Sequence, residues 1–293
     1  MFLSKPFSPL AQILSRIIHQ NSDHRSASVT PPAVDKRQVG KSRGQVHLIG
    51  CGPGAADLLT VRADQLIRNA QVVIYDRLVS KEIIDLIPAS AERHYVGKAP
   101  GNHSVLQSKI GELMVSEARR GKSVLRLKGG DPAIFARMAE EIDALNHASI
   151  DWQIVPGITA ASGCAAAAGI PLTDRDSAHQ VRFITATHHA DHLRHDWSSL
   201  ARRDQTLVFY MGLEALPSIS ARLQKHGLPA DWPILLIENG TRAEQRNLLA
   251  TLGTIVEKTQ QAQFQTPSLI IVGEVTRTAK QQAIALARAQ EVA

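Results

Sequence analysis

The sequence predicts an α/β fold, and three observations lead there. From residue 46 onward, short apolar runs rich in Val, Ile and Leu alternate with stretches of helical periodicity. Two of those runs end abruptly in glycine, at Gly50-Cys51-Gly52-Pro53-Gly54 and at Gly129-Gly130-Asp131-Pro132. With 293 residues and 44% hydrophobic composition, the chain can bury a sizeable core and divides naturally into two units of about 120 residues.

Residues 1–44 stand apart. "SPLAQILSRIIHQ" fits one short amphipathic helix, with Leu10, Ile13, Leu14, Ile17 and Ile18 on a face, and the Ser/Pro/Lys/Arg stretch after it has no periodicity. A basic, disordered leader is expected, with a transit peptide or a membrane-surface anchor as rivals. The leader also explains the charge. Residues 1–45 hold seven Lys or Arg against Asp23 and Asp35, which leaves only +1 of the formal +6 for the body. Nothing clusters into a basic face, so no nucleic-acid partner is expected. No apolar run nears the roughly 20 residues of a membrane span, so no stable membrane insertion is expected either. Cys51 and Cys164 are too few for a disulfide framework. A reducing, cytoplasmic setting follows.

The elements then come in order. Strands are expected at 46–50, 72–76, 94–97, 124–127 and 152–155, then at 181–185, 206–211, 234–238 and 268–272. Helical patterns fall at 59–69, 105–120, 136–145, 216–225 and 249–260. "VPGITAASGCAAAAGIPLT" interrupts the alternation with Pro156, Gly157 and small residues. The expected organisation is therefore one α/β domain over 45–157, a second over 158–280 and a tail over 281–293.

The loop after the first run is not a standard phosphate cradle. Its glycines at 50, 52 and 54 miss the dinucleotide spacing, and Ala55-Ala56-Asp57 offers nothing to clamp a phosphate or magnesium. By itself it could be only a sharp turn. The second glycine loop, together with Gly157-Ile158-Thr159-Ala160-Ala161, makes turns alone a poor explanation. At each place side chains vanish where a strand ends, so a flat or bulky ligand can approach the main chain. "THHADHLRH" holds His188, His189, His192 and His195, but no Cys or catalytic Glu joins them at a metal-site spacing. No metal is expected.

The order "LIGCGPGAADLLT…VVIYDRLVS…YVGKAPGNHSVLQSKI…VLRLKGGDPAIFAR…VPGITAASGCAAAAGIPLT…TLVFYMG…ENGTRAEQ…SLIIVGEV" closely resembles the uroporphyrinogen-III C-methyltransferases of the tetrapyrrole methylase family, from residue 46 to about 276. The GPG loop, GGDP and VPGITA belong to the wider family, whereas "YDRLVS" and "VGK…GNHSVLQ" point to the uroporphyrinogen branch. The resemblance implies two α/β domains with a cofactor cleft between them, in a homodimer. The implied cofactor is S-adenosyl-L-methionine, released as S-adenosyl-L-homocysteine. Its implied contacts are Pro53, Gly129, Gly130, Asp131 and Ile134, then Thr159, Ala160, Met211 and Gly240.

The implied reaction methylates uroporphyrinogen III at C2 and C7 to give precorrin-2, for tetrapyrrole pathways of the sirohaem and cobalamin type. By the same resemblance Asp76 is the proton acceptor and Lys98 the proton donor. Without it, Asp76 reads as a cap or a partner of Arg77, and Lys98 as a solvated loop cation. A substrate with eight carboxylates calls for cations. Arg137 is the leading clamp, expected to share a helical face with Glu140. His103, Lys128, Arg175 and Arg77 are further candidates. Ala133, Ala167 and Asp174 depart from the family pattern near the expected substrate side. Two alternatives remain, a nucleic-acid methylase of the same fold and a non-catalytic tetrapyrrole-binding homologue. Residues 1–45 are too few for the dehydrogenase and chelatase module fused to some members, so a methyltransferase alone is expected.

Overall fold

The computed structural model describes residues 44–97, 106–186 and 195–279, all within one compact unit. The leader, Lys98, His103, His188, His189, His192 and the tail beyond 279 lie outside the described residues.

The first sheet is wholly parallel. It is built from β1 (Val46–Gly50), β2 (Val72–Tyr75), β3 (Glu92–Tyr95), β4 (Val124–Lys128) and β5 (Trp152–Val155), in the order β3-β2-β4-β1-β5. Every residue of β1 and β4 is buried, as central strands covered on both faces must be. Side chains alternate between two cores. Ile49, Val73, Leu125 and Leu127 pack with Ala63 and Ile67 of helix α1 (Val61–Arg68), while Val46, Leu48, Val72 and Ile74 face Met114 and Leu145. Met114 belongs to α3 (Gln107–Arg119) and Leu145 to α4 (Met138–His147); the short α2 (Lys81–Ile84) follows β2.

The second sheet departs from the expected pattern. Its strands are β6 (Gln180–Thr185), β7 (Gln205–Tyr210), β8 (Pro233–Glu238), β9 (Arg246–Thr251) and β10 (Ser268–Val272), in the order β6-β7-β10-β8-β9. Only β6 and β7 run parallel; the other three pairings are antiparallel. The helix expected over 249–260 is in fact β9 followed by α8 (Ile255–Gln261). Leu248 to Ala250 pair with β8 in a hairpin, and cross-strand pairing overrode a run with no decisive period. Helix α5 (Ala160–Ala167) was missed because its Ala/Gly/Ser run has no apolar stripe. The short α6 (Trp197–Leu200) was missed too, whereas α7 (Leu216–Lys225) matches its pattern, burying Leu216, Ile219, Ser220 and Leu223. β3 starts two residues earlier than the expected 94–97. No described helix is long and apolar enough to cross a membrane.

The strand order places the site. β1 lies between β4 and β5, so the three loops leaving their carboxyl ends are neighbours in space. Gly52 and Gly130 exchange two backbone hydrogen bonds, at 3.1 and 2.7 Å. A Cβ on Gly50 would come 2.5 Å from the Gly157 nitrogen and 2.8 Å from the Gly130 oxygen, so the contact requires glycine. A Cβ on Gly157 would strike the Gly130 carbonyl and the Gly50 backbone, neither of which can swing aside. Gly157→Ala should therefore lower the unfolding free energy by about 1–3 kcal/mol, read from urea denaturation. A loss below about 0.5 kcal/mol, the scatter of neutral surface changes, would show that the three loops have slack.

Candidate active site

A cleft of about 570 Å³ opens above the joined loops, with walls from both sheets. One end is made of main chain and small side chains. Pro53, Gly129, Gly130, Asp131 and Ile134 line it from the first sheet's loops, and Thr159, Ala160, Met211 and Gly240 complete it. These nine are the positions the resemblance implied for the cofactor. Gly130 adopts φ +72°, and a Cβ there would meet only the Ala160 nitrogen, at 3.7 Å. A side chain at 130 would stand in the cleft, where a ligand must approach the backbone. The geometry fits a compact ligand held largely by backbone groups.

Asp131 is committed locally. Its carboxylate accepts from Ala133 N–H at 2.7 Å and from Gly157 N–H at 3.0 Å, tying the β4 loop to the β5 loop. Thr159 precedes α5, and its hydroxyl lies 2.6 Å from the Tyr210 hydroxyl, which also accepts from Ala161 N–H at 3.1 Å. Sequence reasoning placed Tyr210 in a strand and missed this capping role. Burial pushes the Tyr210 phenol above its ordinary pKa, against the bonds from Thr159 and Ala161. Its ring meets Phe135 edge-on at 5.1 Å and Phe183 at 5.9 Å. Cys164 lines the cleft and Cys51 lies buried, but burial raises both thiols to about 12. Neither serves as a thiolate near neutral pH.

The other end is charged. Asp76, just past β2, accepts from Leu78 N–H at 3.0 Å and from Arg126 Nη2 at 3.0 Å; its ion-pair partner is Arg126, where the residues alone had offered a cap or Arg77. Arg126 and Lys128 share one face of β4, and both reach Glu141 of α4, at 3.0 and 2.7 Å. Burial, then the Arg126 charge, holds the Lys128 ammonium below the ordinary lysine range, against the pull of Glu141 and Asp76. The signal for this network was in "VLRLKGGD", where two cations alternate within a strand otherwise fit for full burial. Such cations need buried counter-ions, and Glu141 supplies one.

Arg137 lines the cleft, but not from a helical face. It sits at the N-cap of α4 with φ +53°, and its fork is held by Glu140 at 2.8 and 2.6 Å. Glu140 is outside the cleft lining, as are Arg175, Ala133, Ala167 and Asp174, whereas Arg77 is within it. Asp174 instead ties a turn, accepting from Asp176 and Ser177 backbone N–H. His195 lies by the Thr185 carbonyl, at 3.3 Å. Among the described residues Glu92, His94 and Glu117 approach as metal ligands would, yet the Lys122 ammonium already bridges the two carboxylates at 2.6 and 2.7 Å.

A strap from the second sheet closes one wall. Ala55 N–H donates to Thr241 Oγ1 at 3.1 Å, and Arg242 Nη2 donates to the Leu78 carbonyl at 3.0 Å. Neither contact was foreseen from the sequence.

The sequence profile of the Tetrapyrrole (Corrin/Porphyrin) Methylases matches residues 45–256. Siroheme synthase of Stutzerimonas stutzeri is 52% identical over 237 residues, covering 81% of this chain and 51% of that protein. The chain thus spans about half the length of the curated relatives it matches. Among solved structures, native uroporphyrin III C-methyl transferase from Thermus thermophilus is 35% identical with a TM-score of 0.68, covering 80% of this chain and all of that one. A second structure of the Thermus thermophilus enzyme, complexed with S-adenyl homocysteine, is 34% identical with a TM-score of 0.68 over 80% of this chain and 94% of that one.

Tyr210→Phe keeps the ring contacts but leaves the Ala161 N–H and the Thr159 hydroxyl without their partner. Unfolding in urea should show a loss of about 1–3 kcal/mol. No loss would mean that water replaces the phenol at the start of α5.

Proposed function

The chain belongs to the tetrapyrrole methylase family, and from that premise we propose that it transfers methyl groups from S-adenosylmethionine to C2 and C7 of uroporphyrinogen III, giving precorrin-2. The observation that carries the reading is one cleft with two chemistries. All nine expected cofactor positions line it, and so do Asp76, Arg126 and Lys128 of a fixed ionic cluster. When bound, the cofactor supplies an electrophilic methyl group on a sulfonium. A homodimer in the cytoplasm is part of the same reading.

The protein's own part is mainly geometric. Backbone at Gly129, Gly130 and Ala160 and the apolar sides of Ile134 and Met211 would orient the donor, leaving the reacting carbon to approach from the charged end. Fixing two reactants and excluding water is worth up to about 7–11 kcal/mol in well-aligned systems. Proton handling adds about 10²- to 10⁴-fold. Asp76 suits the acceptor role because two donors fix its carboxylate while a quarter of its side chain, 24%, stays open. Lys98, the proposed donor, is outside the described residues.

Arg137 remains the proposed carboxylate clamp. Its ion pair with Glu140 is exposed, and solvent screening leaves such pairs little net contribution. A substrate carboxylate can displace Glu140 at little cost.

Incubating the protein with labelled S-adenosylmethionine and uroporphyrinogen III, then weighing the product, tests the reading directly. A gain of two methyl groups is expected; one or none rejects bis-methylation, and methylated RNA would move the chain to another class. Arg137→Lys keeps the charge but loses the fork. Turnover should fall more than about tenfold, with S-adenosylhomocysteine affinity within a few-fold by calorimetry. Wild-type turnover would leave Arg137 with no part beyond its pair with Glu140.

A further inference from the structure

Glu141 does not line the cleft, yet three side chains that do line it end on its carboxylate. Arg126 Nε donates to one oxygen at 3.0 Å, Gln107 Nε2 to the same oxygen at 3.1 Å, and Lys128 Nζ to the other at 2.7 Å. The Glu141 side chain has 0% exposure, and those of Arg126 and Lys128 have 4% each. Each nitrogen of Arg126 has a partner. Its Nη1 donates to the Leu127 carbonyl at 2.6 Å and its Nη2 to Asp76 at 3.0 Å. A single planar guanidinium therefore links the buried Glu141 to the carboxylate at the cleft wall.

A buried ionic array of this kind is a poor way to stabilise a fold, because well-packed apolar residues of similar volume do as well or better. It does impose direction. Two donors on Asp76 and four donor–acceptor contacts beneath it leave the carboxylate little rotational freedom. We propose that Glu141 is a positioning residue for methyl transfer: through Arg126 it fixes Asp76 at the cleft wall, and it holds Lys128 as the cation beneath the substrate's carboxylates. The inference rests on the function proposed above.

The charges around Lys128 give it a signature. Glu141 and, more weakly, Glu140 act on it from α4, Arg126 from its own strand and Asp76 from the loop after β2, with the neutral Gln107 of α3 also bonded to Glu141. Burial and Arg126 favour the neutral amine; Glu141 and Asp76 favour the ammonium. Deleting the Glu141 charge removes part of the opposition, so Lys128 should lose its proton at a lower pH. Binding of the eight-carboxylate ring, held partly by that ammonium, would then weaken earlier as pH rises. An unconnected structural glutamate predicts no such shift.

Glu141→Gln in the full chain removes the charge and keeps the volume. Binding of uroporphyrin III, the oxidised and non-reactive form of the substrate, is followed by fluorescence from neutral to alkaline pH, alongside single-turnover methylation and calorimetry with S-adenosylhomocysteine. The inference expects turnover at least about tenfold lower, S-adenosylhomocysteine affinity within threefold or so, and the alkaline loss of porphyrin binding moved about one pH unit down. Lys128→Met should lack that alkaline loss altogether. Should Glu141→Gln not fold, Glu141→Gln with Lys128→Met removes one buried anion together with one buried cation, and its turnover relative to Lys128→Met alone reports on Asp76. Wild-type turnover in that pair, or in a folded Glu141→Gln with an unmoved pH profile, overturns the inference. Parallel losses of turnover and cofactor affinity overturn it too, since they mark general damage. If the wild-type chain makes no methylated product, the proposed function itself falls, an outcome distinct from any of these.

Discussion

The cleft depends on three backbone turns being allowed to touch. Gly50, Gly130 and Gly157 leave the ends of adjacent parallel strands, and at each a Cβ would enter either a neighbouring peptide or the cleft itself. Their closeness brings Gly52 and Gly130 into mutual hydrogen bonding and lets Asp131 reach the Gly157 amide. Once those turns are sewn together, the positions of Pro53, Thr159 and Ala160 follow, because each is only a few residues along the chain. A parallel sheet offers this arrangement at its carboxyl edge because all its strands end on the same side. The mixed second sheet contributes differently, through residues at the ends of β7 and β8 and around the start of β10.

Each end of the cleft solves a different solvation problem. At the glycine end, exposed peptide groups provide directional contacts without costly buried charge. At the other end, four ionisable groups lie close together, and each has a partner of opposite sign. The low accessibility of Arg126, Lys128 and Glu141 means that water cannot relax around them, so their geometry is held by one another. A dry, preorganised wall of that sort favours a charge distribution fixed before the substrate arrives.

Much of this was legible in the sequence, and the limits have physical causes. The central parallel strands were readable because burial on both faces writes runs rich in Val, Ile and Leu, and the glycine loops because few other residues permit such close approach. The cofactor positions came from the family resemblance, and the cleft lining contains all nine. β9 was misread because an antiparallel edge strand and a short helix can share the same apolar letters. Tyr210 and Arg126 were missed because a strand assignment fixes which side a residue faces without naming the group it will meet there. Arg137 was placed on a helical face by spacing alone, whereas its left-handed backbone puts it at the N-cap of α4. Glu141 was passed over beside Glu140, since nothing in two consecutive acids tells which one turns inward.

The strap from Thr241 and Arg242 to Ala55 and Leu78 joins partners 186 and 164 residues apart. On the ribosome the first sheet can be complete long before either strap residue exists. Contacts so distant in sequence are made late and slowly, because the entropy of closing the intervening loop precedes any gain from the contact. The cleft is thus open on one side until Thr241 and Arg242 have been made. A nascent chain holding the first sheet already has its conspicuous loops, yet it lacks Met211, Gly240 and the strap that closes the wall, so recognition of the ligand has to wait for residues of both sheets.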